Sequence, residues 1–182
     1  MKKLLVVVML ASCMALPAQE TRCEVTNSSG NPAVDTKPNS PDVPDVFAVS
    51  GHLERIVVLR FKFGADLLAG LQKMIAQEKI KNAVILSAFG SVRGYQLHMV
   101  SNRDMPPKIL FVKNPTAPAD IIGMSGMVMD GRIHPHITLA NSDKAFGGHL
   151  EPETTVFTFA VVTLGVLDDS IDMSRFDDSS YR

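Results

Sequence analysis

One segment with helical periodicity, residues 64–80, stands among segments that have the composition of β-strands. In GADLLAGLQKMIAQEKI the apolar side chains recur at intervals of three and four residues, which places them on one face of a helix. Asp66 precedes this face and is the expected N-cap. The apolar positions are Leu67, Leu68, Leu71, Met74 and Ile75. Such a stripe is typical of packing against a core, so we assign it no role in function.

The segments on either side of this helix are rich in β-branched and aromatic residues, and most are separated by short turns. Their number predicts about seven strands. A single helix among strands with short connections indicates an α+β fold, with a mostly antiparallel sheet and one main packed helix. We therefore expect one folded domain at residues 46–167.

The N-terminal residues 1–18 have the pattern of an export signal, since two lysines precede a short apolar run. The letters LASC that end at Cys13 resemble a bacterial lipobox, in which the cysteine is lipidated. Lipidation would anchor the protein in a membrane, whereas cleavage after Ala18 would leave a soluble periplasmic protein. Both interpretations predict an exported protein.

Two further segments differ from the domain in composition. Residues 19–45 are rich in Pro, Ser, Asn, Asp and Thr, which predicts a flexible linker. Residues 168–182 are expected to form an acidic, polar tail. Both cysteines, Cys13 and Cys23, lie outside the domain, so no disulfide framework is expected.

Three of the five histidines lie in residues 133–150, IHPHITLANSDKAFGGHL. In a strand, His134 and His136 point to the same face. If the polar turn NSDK closes with a two-residue loop, His136 pairs with His149, with Cβ atoms about 4.5–5.5 Å apart. A three-residue loop would turn His149 to the opposite face, unless a bulge at the preceding double glycine restored the phase.

Three imidazoles on one face suit a metal ion. Neutral imidazole nitrogens bind Zn²⁺, and three protein ligands leave a fourth position for water or substrate. The alternative is a polar or subunit-interface cluster whose ring nitrogens are satisfied by water. We predict that His134, His136 and His149 bind a divalent metal. Zinc is the expected ion, although these residue types do not distinguish it from nickel, iron or copper.

Other polar residues are weaker candidates. Glu151 and Asp143 lie near the histidines in sequence and are the acid/base candidates, although such carboxylates are more often ordinary turn or surface groups. Arg93 and Arg132 could bind an anionic substrate, but solvation at the surface is the more usual role. The remaining histidines are interpreted as exposed or hydrogen-bonded sheet residues, either of which could line the same pocket: His52 and His98.

The order of these motifs resembles the PPC (plant and prokaryote conserved) domain family over roughly residues 47–166. The resemblance depends on a helix after GADL, then SAFGSV, HPH and FGGHL. It implies an antiparallel sheet with a packed helix, assembled as a homotrimer. Bacterial members with this histidine pattern resemble metal binders, and the fold is similar to that of acetolactate decarboxylase, which implies His134, His136 and His149 as ligands. Asp120 departs from the family, where a glutamate is usual.

Together, these features predict an exported metal-binding protein, either a small-molecule-binding module or a metal-dependent lyase or hydrolase. Two alternatives stay open: a DNA-binding domain, since many family members carry that label, and a structural trimeric module without metal. The charge does not favour nucleic acid as a partner. The net charge is −1, the basic residues are scattered, and no Arg-Gly-Arg arm is present.

Overall fold

The computed structural model of the chain describes residues 21–27 and 41–177. The expected export signal, with Cys13 and the cleavage position after Ala18, lies outside the described residues. In the part of the chain that is described, no helix is long and apolar enough to cross a membrane.

Eight strands and one helix follow one another in the described chain, and every strand pairing is antiparallel. The elements are β1 (Arg22–Asn27), β2 (Leu53–Lys62), α1 (Leu67–Gln77), β3 (Ala83–Val100), β4 (Lys108–Asn114), β5 (Ala119–Met129), β6 (Arg132–Ala140), β7 (Ala145–Leu150) and β8 (Thr155–Leu167). The predicted α+β class, mostly antiparallel with one packed helix, is therefore confirmed.

The sheet is organised around β3, which is 18 residues long. Six strands lie side by side in the order β1-β4-β3-β5-β6-β7, and β8 pairs with both β2 and β3. The first half of β3 pairs with β5 and β8, and its second half pairs with β4 and β7. Because β7 returns to β3, the strands β3, β5, β6 and β7 form a closed ring.

Helix α1 covers one face of this sheet. The Asp66 carboxylate accepts a hydrogen bond from the backbone N–H of Ala69 at 2.8 Å, which confirms the predicted N-cap. Most of the predicted apolar stripe is buried in the core: Leu67, Leu68, Leu71 and Ile75. The helix therefore contributes to packing, as its periodicity indicated.

Strand β1 corrects the prediction of a flexible linker for residues 19–45. Arg22–Asn27 pair residue by residue with Lys108–Lys113 of β4 at the edge of the sheet. The composition did not reveal this strand because main-chain hydrogen bonds hold it rather than apolar burial. Val25, its only large apolar side chain, is 57% exposed.

The segment after β8 also departs from the expected polar tail, since it packs against the sheet as far as Asp177. Ile171 and Met173 are 6% and 2% exposed and form a small apolar cluster with Met129. The side-chain amide of the buried Asn82 donates a hydrogen bond to the Ile171 carbonyl at 2.8 Å. Two apolar residues thus fix a segment whose average composition is acidic.

Candidate metal centre

The β6–β7 hairpin has the predicted register. The backbone N–H of Asn141 donates to the Lys144 carbonyl at 3.0 Å, which closes the two-residue loop. From this turn the pairing continues without a shift to His136 opposite His149. No bulge is needed at the double glycine to bring the histidines to one face.

The three predicted histidines lie together on that face. The Nε2 atoms of His134 and His136 are 3.3 Å apart. The ring of His149 is edge-on to both, with centroid distances of 4.8 Å to His134 and 5.6 Å to His136. The structure therefore brings these three imidazoles into one cluster.

His98 joins this cluster from β3. The β3–β7 pairing places it opposite His149, and their rings stack with centroids 4.4 Å apart. In the sequence, His98 alternates with apolar neighbours, and nothing there indicates that the end of β3 pairs with β7. We call His98, His134, His136 and His149 the histidine cluster.

Two carboxylates contact three of these rings at Nδ1. Glu151 accepts hydrogen bonds through Oε1 from Nδ1 of His98 and, at 3.1 Å, from Nδ1 of His149. Asp177 lies with Oδ1 3.0 Å from Nδ1 of His134. A carboxylate at Nδ1 selects the tautomer that keeps the lone pair on Nε2, which is the arrangement found behind metal-bound histidines.

The spacing of one pair of ring nitrogens, those of His134 and His136, fits a shared metal ion. With Zn–N bonds of about 2.0–2.1 Å, two ligands of a tetrahedral site lie about 3.3–3.4 Å apart. The Nε2 atoms of His134 and His136 have this separation. Two lone pairs facing each other at such a distance repel unless a proton or a cation lies between them.

A second, overlapping set of ligands includes a carboxylate. One ligand atom from each of His98, His149 and Glu151 lies within 4.8 Å of the others. In this set Glu151 would itself bind the ion instead of orienting the rings. In the described residues this is the set whose three ligand atoms meet that limit, and of the three predicted histidines it includes only His149.

The electrostatic environment favours neutral rings. Partial burial lowers the pKa of His136, and the neighbouring His134 and His98 lower it further. Burial also lowers the pKa of His149, with additional contributions from His98 and His134, and these outweigh the opposing effect of Glu151. Both rings are thus kept in the neutral form that a metal ion requires.

The second acid/base candidate, Asp143, lies at the tip of the hairpin. Its backbone N–H donates to Asn141, and its carboxylate accepts from the Ser142 hydroxyl. Five residue spacings separate the Asn141–Lys144 pair of the turn from His136 and His149, a distance of roughly 17 Å. Of the two predicted carboxylates, only Glu151 therefore contacts the histidine cluster.

The remaining candidates are scattered over the surface. The guanidinium of Arg93 lies 5.3 Å from the ring centroid of Phe63. Arg132 is exposed and shares the strand face of His134, two residues away. The side chain of His52 is 80% exposed and lies near Asp168. Arg132 shares β6 with His134 and His136, and Arg93 shares β3 with His98, five residues away.

A cavity of about 770 Å³ is lined by residues of β1, β3 and β4, none of them a histidine of the cluster. Phe111 lines it, and the ring of Phe111 lies 5.3 Å from that of His98. Gln96 lines it as well and shares the strand face of His98. The other lining residues are Arg22, Cys23, Glu24, Thr26 and Lys113. Strand β1, which supplies four of the lining residues, thus forms one wall of this cavity, and Phe111 connects the cavity with His98.

Residues 48–168 match the model of the Plants and Prokaryotes Conserved (PCC) domain. The chain belongs to this family. This is the plant and prokaryote conserved family that the order of motifs resembles, so that prediction is confirmed. The matched residues contain all four histidines of the cluster. Both β1 and the segment that carries Asp177 lie outside the matched residues.

Solved structures show the same fold. The metal-containing protein AF0104 from Archaeoglobus fulgidus is 22% identical, with a TM-score of 0.58, over 68% of this chain and 86% of that one. A plant- and prokaryote-conserved protein from Pyrococcus horikoshii is 22% identical, with a TM-score of 0.55, over 68% and 85%. At these identities the likeness concerns the fold alone.

A curated relative, the Bifunctional protein GlmU of Synechococcus sp. (strain JA-3-3Ab), is 28% identical over 119 residues. The alignment covers 65% of this chain and 18% of that protein. The chain thus spans less than a fifth of this relative's length.

Proposed function

We propose that this PCC-domain protein binds one divalent metal ion at the histidine cluster and presents it to a small molecule. The observation that supports the proposal most directly is the distance of 3.3 Å between Nε2 of His134 and Nε2 of His136, with the ring of His149 edge-on to both. His134, His136 and His149 are the proposed ligands, as the hairpin register and the resemblance to acetolactate decarboxylase both favour. His98 and Glu151 complete the surroundings.

Zinc is the proposed ion, because a set of neutral nitrogen ligands suits it and three ligands leave a position open. A related fold, AF0104, is a metal-containing protein. When bound, such an ion would polarise a carbonyl group or lower the pKa of a bound water, as a lyase or hydrolase requires. Glu151 would hold the rings of His98 and His149 in place through their Nδ1 protons.

The cavity beside His98 supports a small-molecule ligand. Its volume of about 770 Å³ lies in the range of sites for small molecules. Its lining combines the aromatic ring of Phe111 with the amide of Gln96 and charged groups of both signs. A ligand there would lie against Phe111, whose ring centroid is 5.3 Å from that of His98.

Metal analysis tests this function. The full chain is purified without a histidine tag, and metal per chain is measured by mass spectrometry. We expect about one zinc per chain, and its loss when His136→Ala and His149→Ala are combined, because two of three ligands disappear. His52→Ala is the matched control, since that histidine is exposed elsewhere. Metal-free protein, or metal retained by the double variant, would contradict the proposal.

We also propose that the protein forms a homotrimer. The face of β2, β8 and β3 that points away from α1 exposes several large apolar side chains, and such patches mark interfaces. They are Ile56, Val58, Leu86, Phe89 and Phe159. Val58→Asp should reduce the mass measured by light scattering to that of one chain. Val100 at the end of β3 is as exposed as Val58 but lies outside this group of side chains. Val100→Asp should therefore leave the mass unchanged.

Export is proposed from the N-terminal pattern, with lipidation of Cys13 as the means of anchoring. Mass spectrometry of the mature protein from cell membranes tests it. A diacylglyceryl-modified N-terminal Cys13 is expected, whereas an unmodified residue would contradict the anchor and an N-terminus after Ala18 would favour soluble export.

DNA binding is the second candidate function. Some structural neighbours are named as DNA-binding proteins. Their TM-scores are below 0.5, so their similarity does not support the same function for this chain. The net charge of −1 does not favour it. Binding to duplex DNA that weakens steeply as salt rises would support this function over the metal-dependent one.

A further inference from the structure

The C-terminal segment, residues 169–177, reaches the histidine cluster from outside the PCC domain. It packs on the face that carries the histidines, because its apolar cluster includes Met127, the register partner of His134 on β5. Ile171 and Met173 anchor the segment in this cluster. Phe176 then contacts Phe47 with tilted rings, whose centroids are 4.9 Å apart. These contacts fix the chain immediately before Asp177.

Asp177 is the first residue after this anchor, and its carboxylate meets a ring nitrogen. Oδ1 lies 3.0 Å from Nδ1 of His134, while Nε2 of the same ring faces His136 at 3.3 Å. The two ring nitrogens of His134 thus have different partners, a carboxylate on one side and the proposed metal position on the other. Glu151 makes the equivalent contact with Nδ1 of His149.

We infer that Asp177 is a positioning residue for the metal site, an inference that depends on the proposed function. Its carboxylate accepts the Nδ1 proton of His134, which keeps the Nε2 lone pair directed at the ion and makes the ring a stronger ligand. A ligand in the hairpin is thereby oriented by a segment that lies outside the family's domain. The metal affinity of this chain therefore depends on its C-terminal segment as well as on its histidines.

Zinc affinity of the full chain, measured by competition with a chelator, tests the inference. Asp177→Asn should weaken zinc binding about tenfold to hundredfold, the usual effect of losing a carboxylate behind a metal-bound histidine. Asp177→Glu should recover part of this loss because it restores the carboxylate. Asp172→Asn is the matched control, since Asp172 lies in the same segment but bonds only locally to Ser174. It should bind zinc as the unaltered chain does.

A second measurement separates orientation from folding. In nitrogen-15 NMR spectra of the zinc-loaded chain, the His134 Nδ1 proton should be visible and protected from exchange. Asp177→Asn should abolish this signal without lowering the thermal unfolding midpoint of the metal-free chain. If the Asp177→Asn chain binds zinc with unchanged affinity and keeps the Nδ1 signal, the inference is wrong, but the proposed function is not affected. Failure of the unaltered chain to bind zinc would overturn the proposed function together with it.

Discussion

The β6–β7 hairpin and the C-terminal segment both bring groups to the histidine cluster, but different forces hold them. The hairpin aligns His136 with His149 through an unbroken ladder of main-chain pairs and a tight turn. The C-terminal segment is held chiefly by the burial of Ile171 and Met173, with few backbone bonds to the sheet. Ligands on the hairpin are thus fixed by local geometry, whereas Asp177 depends on a small apolar contact.

Breaking the hairpin should have the largest effect. A Cβ atom at Gly147 would lie 2.3 Å from the Ile137 carbonyl oxygen on the opposite strand, so Gly147→Ala must separate the two strands. We expect a loss of about 1–3 kcal/mol in the free energy of unfolding and loss of zinc binding. Chemical denaturation and metal analysis measure the two effects.

Gly123 provides the matched control for this substitution. It lies on β5, and a Cβ atom there meets nothing within 4 Å. Gly123→Ala should therefore preserve both stability and zinc binding. If Gly147→Ala behaves in the same way, the close contact between the strands of the hairpin does not determine the site.

Loosening the C-terminal segment should have a smaller effect on the site. Met173→Ala removes a buried side chain from its anchor, and we expect a loss of about 2 kcal/mol in unfolding free energy. Zinc should still bind, with its affinity lowered to that of Asp177→Asn, because the ligands stay while the carboxylate is released. Met105→Ala, at an exposed methionine, is the control. If Met173→Ala leaves the zinc affinity unchanged, the packing of the C-terminal segment does not influence the metal site.

The smallest expected effect is a pH dependence of the metal-free chain. His136 and His149 have pKa values below the ordinary value of about 6.5 in the folded state, so the unfolded chain binds more protons in mildly acidic solution. Stability should be constant above about pH 6.5 and should fall as the pH drops from there through the lowered folded values. Thermal unfolding from pH 7.5 to 5 measures this.

Replacing both rings should remove much of this dependence. The combined His136→Gln and His149→Gln variant should lose less stability in acid than the unaltered chain, whereas His52→Gln should behave like the unaltered chain. Equal pH profiles for all three chains would show that the cluster does not hold its rings neutral.

The helix and the hairpin could both be predicted from the sequence, since each depends on neighbouring residues. The spacing of the apolar residues placed α1, and Asp66 marked its start. The NSDK turn set the register that pairs His136 with His149. In each case the determining interaction spans only a few residues, so the chain itself carries the information.

His98, β1 and Asp177 could not be predicted in the same way. His98 reaches His149 only because β7 returns to β3 and closes the ring of strands. The six residues of β1 form a strand because the edge of β4 offers them hydrogen-bonding partners. Asp177 reaches His134 because two apolar side chains anchor an otherwise acidic segment.

The sequence by itself determined the local geometry of the three predicted histidines, while the tertiary structure decided which groups surround them. The physical reason is the range of the interactions. Turn closure and strand alternation depend on covalently near residues, whereas strand pairing and apolar anchoring depend on surfaces that exist only after the sheet has formed.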